Sequence, residues 1–250
     1  MKALIFAAGL GTRLRPLTEN LPKALIAING VPLIEHAIVK IKSVGIKEIV
    51  INVHHHANQI IDFLKQKNNF GICVEISDER DKLLDTGGGI KKASCFFDDN
   101  QPFLVHNVDI LSNIDLQKLF AYHTQQSNAL STLVVNPRDT YRYLFFDENN
   151  TLRGWINETT KETKPLPEMD TAIYNKLAFA GIQIISPEIF KLMKRYGDKF
   201  SIMDFYLNYC QTQKIIGYIP DNLKIIDVGK LEAIDKAEKF IAGQQDMLNF

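Results

Sequence analysis

The first half of the chain alternates short apolar runs with segments whose apolar residues recur at helical spacing, and this alternation constrains the fold more than any other feature. Lys2 to Ala8 is an apolar run carried by Leu4, Ile5 and Phe6, and it ends at Gly9. A short apolar run closed by glycine reads as a buried strand. Leu33 to Val44 sets Ile34, Ala37, Ile38 and Ile41 on one helical face. Glu48 to Val53 reads as the next strand, and Ala57 to Lys67 as a helix with Ile60, Ile61 and Leu64 inward. Gly71 to Ser77 and Pro102 to Asn107 read as strands, and Asp115 to Gln125 as a helix with Asp115 as N-cap. Strands separated by helices predict a mainly parallel sheet covered on both faces, an α/β three-layer sandwich. Ligands of such sheets sit at the carboxyl ends of the strands. The loops after Ala8, Val53, Ser77 and Asn107 are therefore expected to share one mouth.

The pattern changes beyond Asn128. Residues 129–160 read as antiparallel strands with turns at Asn136-Pro137 and Glu148-Asn149-Asn150. Residues 157–176 are polar, contain Pro165 and Pro167, and suggest a mobile loop. A strand from Leu177 to Ile185 follows, then a helix from Pro187 to Tyr196, strands at Lys214 to Ile219 and Lys224 to Val228, and a closing helix from Leu231 to Ala242. No repeat, low-complexity tract or linker divides the chain, so a single domain over residues 1–250 is expected. Lys+Arg and Asp+Glu are equal at 29 each. That balance argues against a nucleic-acid surface, which needs a basic excess. Cys73, Cys95 and Cys210 are far apart and odd in number, which argues against a zinc site or a disulfide framework. The N-terminal apolar run is too short for a signal peptide, and no segment is long enough to span a bilayer. A soluble cytoplasmic protein is expected.

The chemistry concentrates after the first strand, in Ala7-Ala8-Gly9-Leu10-Gly11-Thr12-Arg13, followed by Pro16, Pro22 and Lys23. Two glycines after a strand let backbone N–H groups approach a phosphate. Arg13 adds a planar multi-donor cation and Lys23 a second positive charge. The P-loop pattern is absent, and Leu14 stands where the third glycine of a dinucleotide fingerprint would be. A glycine turn at the end of a strand also serves purely structural ends, so the whole string has to carry the inference. Asp109 follows a buried strand and Asp227 precedes the last helix. Either aspartate alone also fits a turn or a helix entry. Consecutive His54-His55-His56 cannot converge on one ion without other ligands, and a contact to base or solvent is the expected role.

The segment Ala7 to Thr18 with Pro22-Lys23 resembles the signature of the sugar-1-phosphate nucleotidyltransferases, a family that includes glucose-1-phosphate thymidylyltransferases, mannose-1-phosphate guanylyltransferases and N-acetylmuramate-1-phosphate uridylyltransferases. The resemblance implies a Rossmann-like nucleotide-diphospho-sugar transferase fold, with a nucleotide half over about residues 1–128 and an acceptor half over about residues 129–250. It implies that Ala8, Gly9, Gly11, Thr12 and Arg13 wrap a triphosphate, and that Arg13 and Lys23 are catalytic cations. Asn107-Val108-Asp109 resembles the family's metal aspartate with Val108 in place of glycine, and Ile226-Asp227-Val228-Gly229 resembles its second metal motif. Asp109 and Asp227 would then hold Mg²⁺, which prefers oxygen ligands. Leu84-Asp85-Thr86-Gly87-Gly88-Gly89 resembles the Glu-Thr-Gly-Gly-Gly segment of the short uridylyltransferases, with Asp85 in place of glutamate. Gly87 and Gly88 would offer a flat surface to a base or ribose. Phe179-Ala180-Gly181-Ile182 resembles a sugar-pocket segment. Asn107, Glu158, Gly181 and Asp204 are the expected acceptor contacts, with Asn157 beside Glu158.

These expectations describe transfer of a nucleoside monophosphate from a triphosphate to a sugar 1-phosphate, by a monomer or homodimer that binds neither nucleic acid nor membrane. N-acetylmuramate 1-phosphate uridylyl transfer fits the length and the triple glycine. Thymidylyl or guanylyl transfer to another hexose or heptose 1-phosphate, choline-phosphate cytidylyl transfer and a non-catalytic nucleotide-binding regulator remain alternatives. A dinucleotide oxidoreductase lacks the third glycine, and its ribose-binding acid would be Glu35, inside a helix. No β-helix repeat follows the last helix, which is read as excluding an acetyltransferase or trimerising tail.

Overall fold

The computed structural model describes residues 1–166 and 172–248, with side chains described up to residue 243. Residues 167–171, with Pro167, lie outside them, and so does that part of the loop expected over 157–176. In chain order the elements are β1 (Lys2–Phe6), β2 (Ala27–Ile28), β3 (Val31–Pro32), α1 (Leu33–Ser43), β4 (Glu48–Val53), α2 (Ala57–Gln66), β5 (Cys73–Asp78), α3 (Asp85–Lys92), β6 (Phe103–Asn107) and β7 (Ile110–Ser112). Then come α4 (Leu116–Gln125), β8 (Ala129–Asn136), β9 (Arg142–Phe146), β10 (Leu152–Asn157), β11 (Thr163–Lys164), β12 (Asn175–Ile185), α5 (Ile189–Met193), α6 (Ile202–Tyr209), β13 (Lys214–Tyr218), β14 (Ile225–Asp227) and α7 (Ile234–Leu248). The chain forms two compact units. The first comprises Met1–Leu83, His106–Asn113 and Lys224–Phe250, and the second Leu84–Val105 and Ile114–Leu223.

The first unit is the βαβα region. β1, β4 and β5 are parallel, with Leu4 opposite Val50 and Ile51 opposite Ile76. Ala3, Leu4 and Ile5 are fully buried, as near-continuous apolar runs in parallel strands should be. α1 buries the stripe expected of it, Ile34, Ala37, Ile38 and Ile41, and α2 buries Ala57, Ile60 and Leu64. Short β14 pairs antiparallel with β7, so Asp227 lies opposite Ile110.

The second unit holds a mixed sheet. β13 runs parallel to β8, while β8–β12, β12–β9, β9–β10 and β10–β11 are antiparallel. The turns at Asn136-Pro137 and Glu148 to Asn150 separate β8, β9 and β10 as expected. The β12–β8 register shifts between Phe179 and Gln183, and Gly181 sits there at φ +73°. This is a β-bulge that needs a left-handed residue, which supplies a structural reason for that glycine. α4 is capped by Asp115, whose Oδ1 accepts from Lys118 N at 3.0 Å. α6, which the periodicity did not mark, is capped by Ser201, whose Oγ accepts from Met203 N at 3.1 Å.

The triple glycine serves packing in this unit. Gly87 N and Gly88 N both donate to the Phe200 carbonyl, at 2.9 and 3.2 Å. A Cβ on Gly87 would lie 2.4 Å from the Phe200 ring, and one on Gly88 only 2.0 Å from the Asp198 carbonyl oxygen. The side-chain face expected to be open to a base is therefore filled by the segment that leads into α6. Helix α3 sits this close to it only because both positions lack side chains. Asp85 opens α3 in the left-handed region, at φ +62°, and its Oδ1 accepts from Thr86 N at 2.6 Å.

Gly88→Ala must move backbone, so it is expected to lower stability by about 3 kcal/mol. A Cβ on Gly9 would meet nothing within 4 Å, so Gly9→Ala should shift stability by less than about 1 kcal/mol; urea unfolding of the two variants compares them. His123 projects from α4 at 3% exposure. Its Nδ1 lies 2.7 Å from Thr132 Oγ1 and its Nε2 3.1 Å from Ser186 Oγ, while Ser186 donates to the Ala129 carbonyl at 2.6 Å. The ring is thus neutral with its proton on Nε2, and burial pulls its pKa from 6.5 to about 4. Only the unfolded chain binds that proton between the two values, so stability is full above 6.5 and falls as pH drops towards 4. Acidification from about pH 7 to about pH 5 should cost roughly 2 kcal/mol through this residue. The corresponding loss should be smaller by that amount in His123→Leu, read from urea midpoints across pH.

Candidate active site

The first unit brings the predicted phosphate loop, both predicted cations and both predicted metal aspartates together. The chain leaves β1 at Phe6, whose carbonyl accepts from Val108 N at 3.1 Å. Gly11 adopts φ +63°, and a Cβ there would lie 2.9 Å from Thr18 Cγ2 and 3.2 Å from Lys23 Cβ. Only glycine lets the loop close on itself at that point. Thr18 Oγ1 donates to the Gly11 carbonyl at 2.8 Å and ties the closed loop, and Leu14 anchors it at 0% exposure. Among the described residues, the N–H groups of Gly9, Leu10, Gly11, Thr12 and Arg13 donate to no protein acceptor. Gly9, Leu10, Thr12 and Arg13 are exposed. Five consecutive donors are thus left to a ligand or solvent, four of them on exposed residues, the supply of N–H groups that anion-binding backbone nests draw on.

Lys23 begins a 3₁₀ turn directly after Pro22. Its ammonium donates to Asp109 Oδ2, and the two side chains are only 11% and 19% exposed. Asp109 stands just beyond β6, and its carbonyl accepts from Val228 N at 2.9 Å. Asp227 enters from β14 on the neighbouring backbone. Gly229 shows what converges above it. A Cβ there would lie 2.7 Å from Asp227 Oδ1 and 2.9 Å from Arg13 Nη2. Arg13 thus stands beside Asp227 and Lys23 beside Asp109, two cation–carboxylate pairs set side by side by the backbone bond from Val228 to Asp109. Asn107 closes β6 half-buried, beside His106. The His106 ring is fully buried, its Nδ1 donates to the Asn107 carbonyl at 2.8 Å, and burial lowers its pKa to about 4, so it is neutral.

The histidine run divides its roles. His54 Nδ1 donates to the Glu79 carbonyl at 2.7 Å, His56 Nε2 lies 3.2 Å from the Glu19 carbonyl, and the His55 ring lies against His56, tilted by 51° with 3.8 Å between ring centroids. Burial first, and neighbouring His56, His54 and Arg15 next, lower the pKa of His55.

The second unit carries the predicted acceptor residues Glu158, Gly181 and Asp204. Glu158 is bridged by Lys161 at 2.8 Å and Lys176 at 2.7 Å. Hydrogen bonds from these two ammonium groups hold its carboxyl well below the ordinary range. Asp204, in the first turn of α6, accepts from Lys164 at 3.0 Å, and the Lys164 ammonium stands 5.5 Å from the Trp155 ring centroid. The sequence reading selected the acids and passed over Lys161, Lys164 and Lys176, because lysines in a polar segment carry no pattern that separates a binding cation from a solvated one.

Residues 2–244 match the model of the family described as Nucleotidyl transferase. The N-acetylmuramate alpha-1-phosphate uridylyltransferase of Neisseria meningitidis serogroup B is 35% identical over 192 residues, covering 76% of this chain and 77% of that protein. The UTP–glucose-1-phosphate uridylyltransferase of a Synechocystis strain is 30% identical over 70% of this chain, a match that spans only 48% of the relative's own length. Among solved structures, HddC from Yersinia pseudotuberculosis complexed with GMP-PN superposes with a TM-score of 0.74 at 23% identity, over 96% of this chain and 99% of that one. The family model spans nearly the whole of the chain and the Neisseria relative most of it, so the chain belongs to the nucleotidyl transferase family of enzymes.

Proposed function

We propose that the protein transfers a nucleoside monophosphate from a nucleoside triphosphate to a sugar 1-phosphate, most closely in the manner of an N-acetylmuramate 1-phosphate uridylyltransferase. The observation that carries the reading is the pairing of Arg13 with Asp227 and of Lys23 with Asp109 beside five N–H donors left to a ligand or solvent. An acceptor phosphate oxygen attacks the α-phosphorus, the bond to the β-phosphate oxygen breaks, and pyrophosphate leaves. The attacking oxygen is already anionic at neutral pH, so no general base is needed. The work left to the protein is alignment and charge neutralisation. Gly9 to Arg13 receive phosphate oxygens through the backbone, and Arg13 and Lys23 offset the charge that builds on the leaving pyrophosphate.

Asp109 and Asp227 would hold a Mg²⁺ ion. When bound, the ion would supply positive charge that offsets the charge of the phosphates. Two carboxylates on adjacent backbones suit a hard cation that takes one or two protein carboxylates and completes its shell with water and phosphate. The Lys23 ammonium already resting on Asp109 shows that the position accommodates positive charge. Phosphate and carboxylate therefore compete for Lys23, which stands within reach of both roles.

The uridylyl assignment draws its support from the Neisseria relative, named for that reaction and matched over most of its length. Glu158, Asp204 and their lysines in the second unit are the proposed acceptor contacts. Such an activity belongs in the cytoplasm, where nucleoside triphosphates are, and feeds sugar nucleotides to envelope synthesis. No helix among the described residues is long and apolar enough to cross a membrane.

Pyrophosphate release measured for UTP, GTP, CTP and dTTP against several sugar 1-phosphates and choline phosphate tests the reading, with UTP and N-acetylmuramate 1-phosphate expected to be fastest. Asp109→Asn is expected to lower release at least about 100-fold, the scale of removing one electrostatic contact to the transition state, while the protein stays folded with a lowered melting temperature because Lys23 loses its counter-charge. Unchanged turnover in that variant would sink the metal assignment.

A further inference from the structure

The ladder between β1 and β4 ends with Phe6 opposite Asn52. The next two residues, Ala7 and Ala8, are 3% and 4% exposed, so their N–H groups cannot turn to water. Buried backbone donors require a partner. The Asn52 side chain supplies it: Oδ1 accepts from Ala7 N at 2.7 Å and from Ala8 N at 3.2 Å. At the other end of the same amide, Nδ2 donates to Glu79 Oε1 at 2.8 Å. Asn52 and Glu79 are themselves 2% and 1% exposed. Glu79 stands one residue past β5, held by its N–H to the Val53 carbonyl at 2.8 Å and by His54 Nδ1 on its own carbonyl.

The chemistry of this relay has a direction. An amide can present either its oxygen or its nitrogen, but backbone N–H groups only donate. Ala7 and Ala8 therefore fix the Asn52 oxygen towards the loop, which leaves the Asn52 nitrogen to face Glu79. The relay crosses the carboxyl ends of β5, β4 and β1 in turn. Its effect is to occupy the first two N–H groups after β1, so that the outward donors begin at Gly9.

We infer that Asn52 and Glu79 are positioning residues for the triphosphate: they set where the phosphate loop starts to offer donors, without touching the nucleotide. The inference rests on the proposed role of the Gly9–Arg13 loop. It predicts a specific rescue. Asn52→Asp keeps the acceptors for Ala7 and Ala8 but places two carboxylates against each other. Adding Glu79→Gln restores a donor, with Gln nitrogen to Asp oxygen, and returns the pair to its original total charge.

The test measures three things in Asn52→Asp, Glu79→Gln and the double variant: binding of UTP with Mg²⁺ by calorimetry, backbone amide exchange at Ala7 and Ala8, and the KM for each substrate. Asn52→Asp is expected to weaken UTP at least tenfold, speed exchange at both alanines, and leave the acceptor KM within twofold. The double variant should return UTP affinity to within threefold of wild type. Wild-type UTP affinity and alanine exchange in a folded Asn52→Asp protein would overturn the inference. If Asn52→Asp fails to fold, the double variant decides: a folded protein with near-wild-type UTP affinity supports the relay, and one that is unfolded or tenfold weaker overturns it. Amide exchange reads the relay even if no substrate pair releases pyrophosphate, so failure of the proposed reaction and failure of the relay remain distinguishable.

Discussion

A buried strand that runs out beneath a loop leaves backbone donors with nowhere to go, and the site in this protein is arranged around that constraint. β1 is apolar and covered through Ile5, and the two alanines beyond its end stay out of water. Val108 N takes the Phe6 carbonyl and Asn52 takes the next two N–H groups. Only once those groups are paired can the chain turn outward at Gly9 and present a run of donors to solvent. The same Val108 that ties β6 to β1 precedes Asp109, so the hydrogen bond that terminates the strand also delivers the carboxylate to the loop.

Charge is organised on the same principle of local pairing. The chain carries no net charge, and within the cluster two cations meet two carboxylates. Placing Lys23 and Asp109 together at low exposure is tolerable because each neutralises the other, whereas either alone would be costly to bury. A cluster held this way is ready to exchange partners with a ligand that brings both negative charge and a metal. In the second unit, Glu158 and Asp204 are likewise held by lysines rather than left as free acids. Around both sets of acids the structure shows cations that residue identity alone would not associate with them.

The regular elements of the first unit were legible in the sequence because the pattern that reveals them is the one that stabilises them. α1, α2 and β4 carry uninterrupted apolar faces, and their limits emerge within a residue or two of those read from spacing. α6 was not legible: its buried residues, Ile202, Phe205, Tyr206 and Leu207, sit on a single short segment, and the Ser201 cap is a local hydrogen bond without periodicity. The glycines show the limit most clearly. Gly11, Gly87, Gly88 and Gly181 look alike in sequence, yet one closes a loop on Thr18, two admit Phe200 and the Asp198 backbone, and one carries a bulge in β12. A glycine declares that a side chain would not fit without saying what occupies its place.

By itself, the sequence determined the α/β organisation, since periodicity encodes strands and helices, and through its resemblance to the family it pointed to the loop between Ala7 and Lys23 and to the four charged residues. Tertiary structure alone decided which of these groups meet. Asn52 and Glu79 lie 27 positions apart, and Lys23 and Asp109 lie 86 apart. No local rule links such residues. They are neighbours because parallel strands bring their carboxyl ends to one edge, where the backbone donors left unpaired by β1 select an amide and a carboxylate to satisfy them.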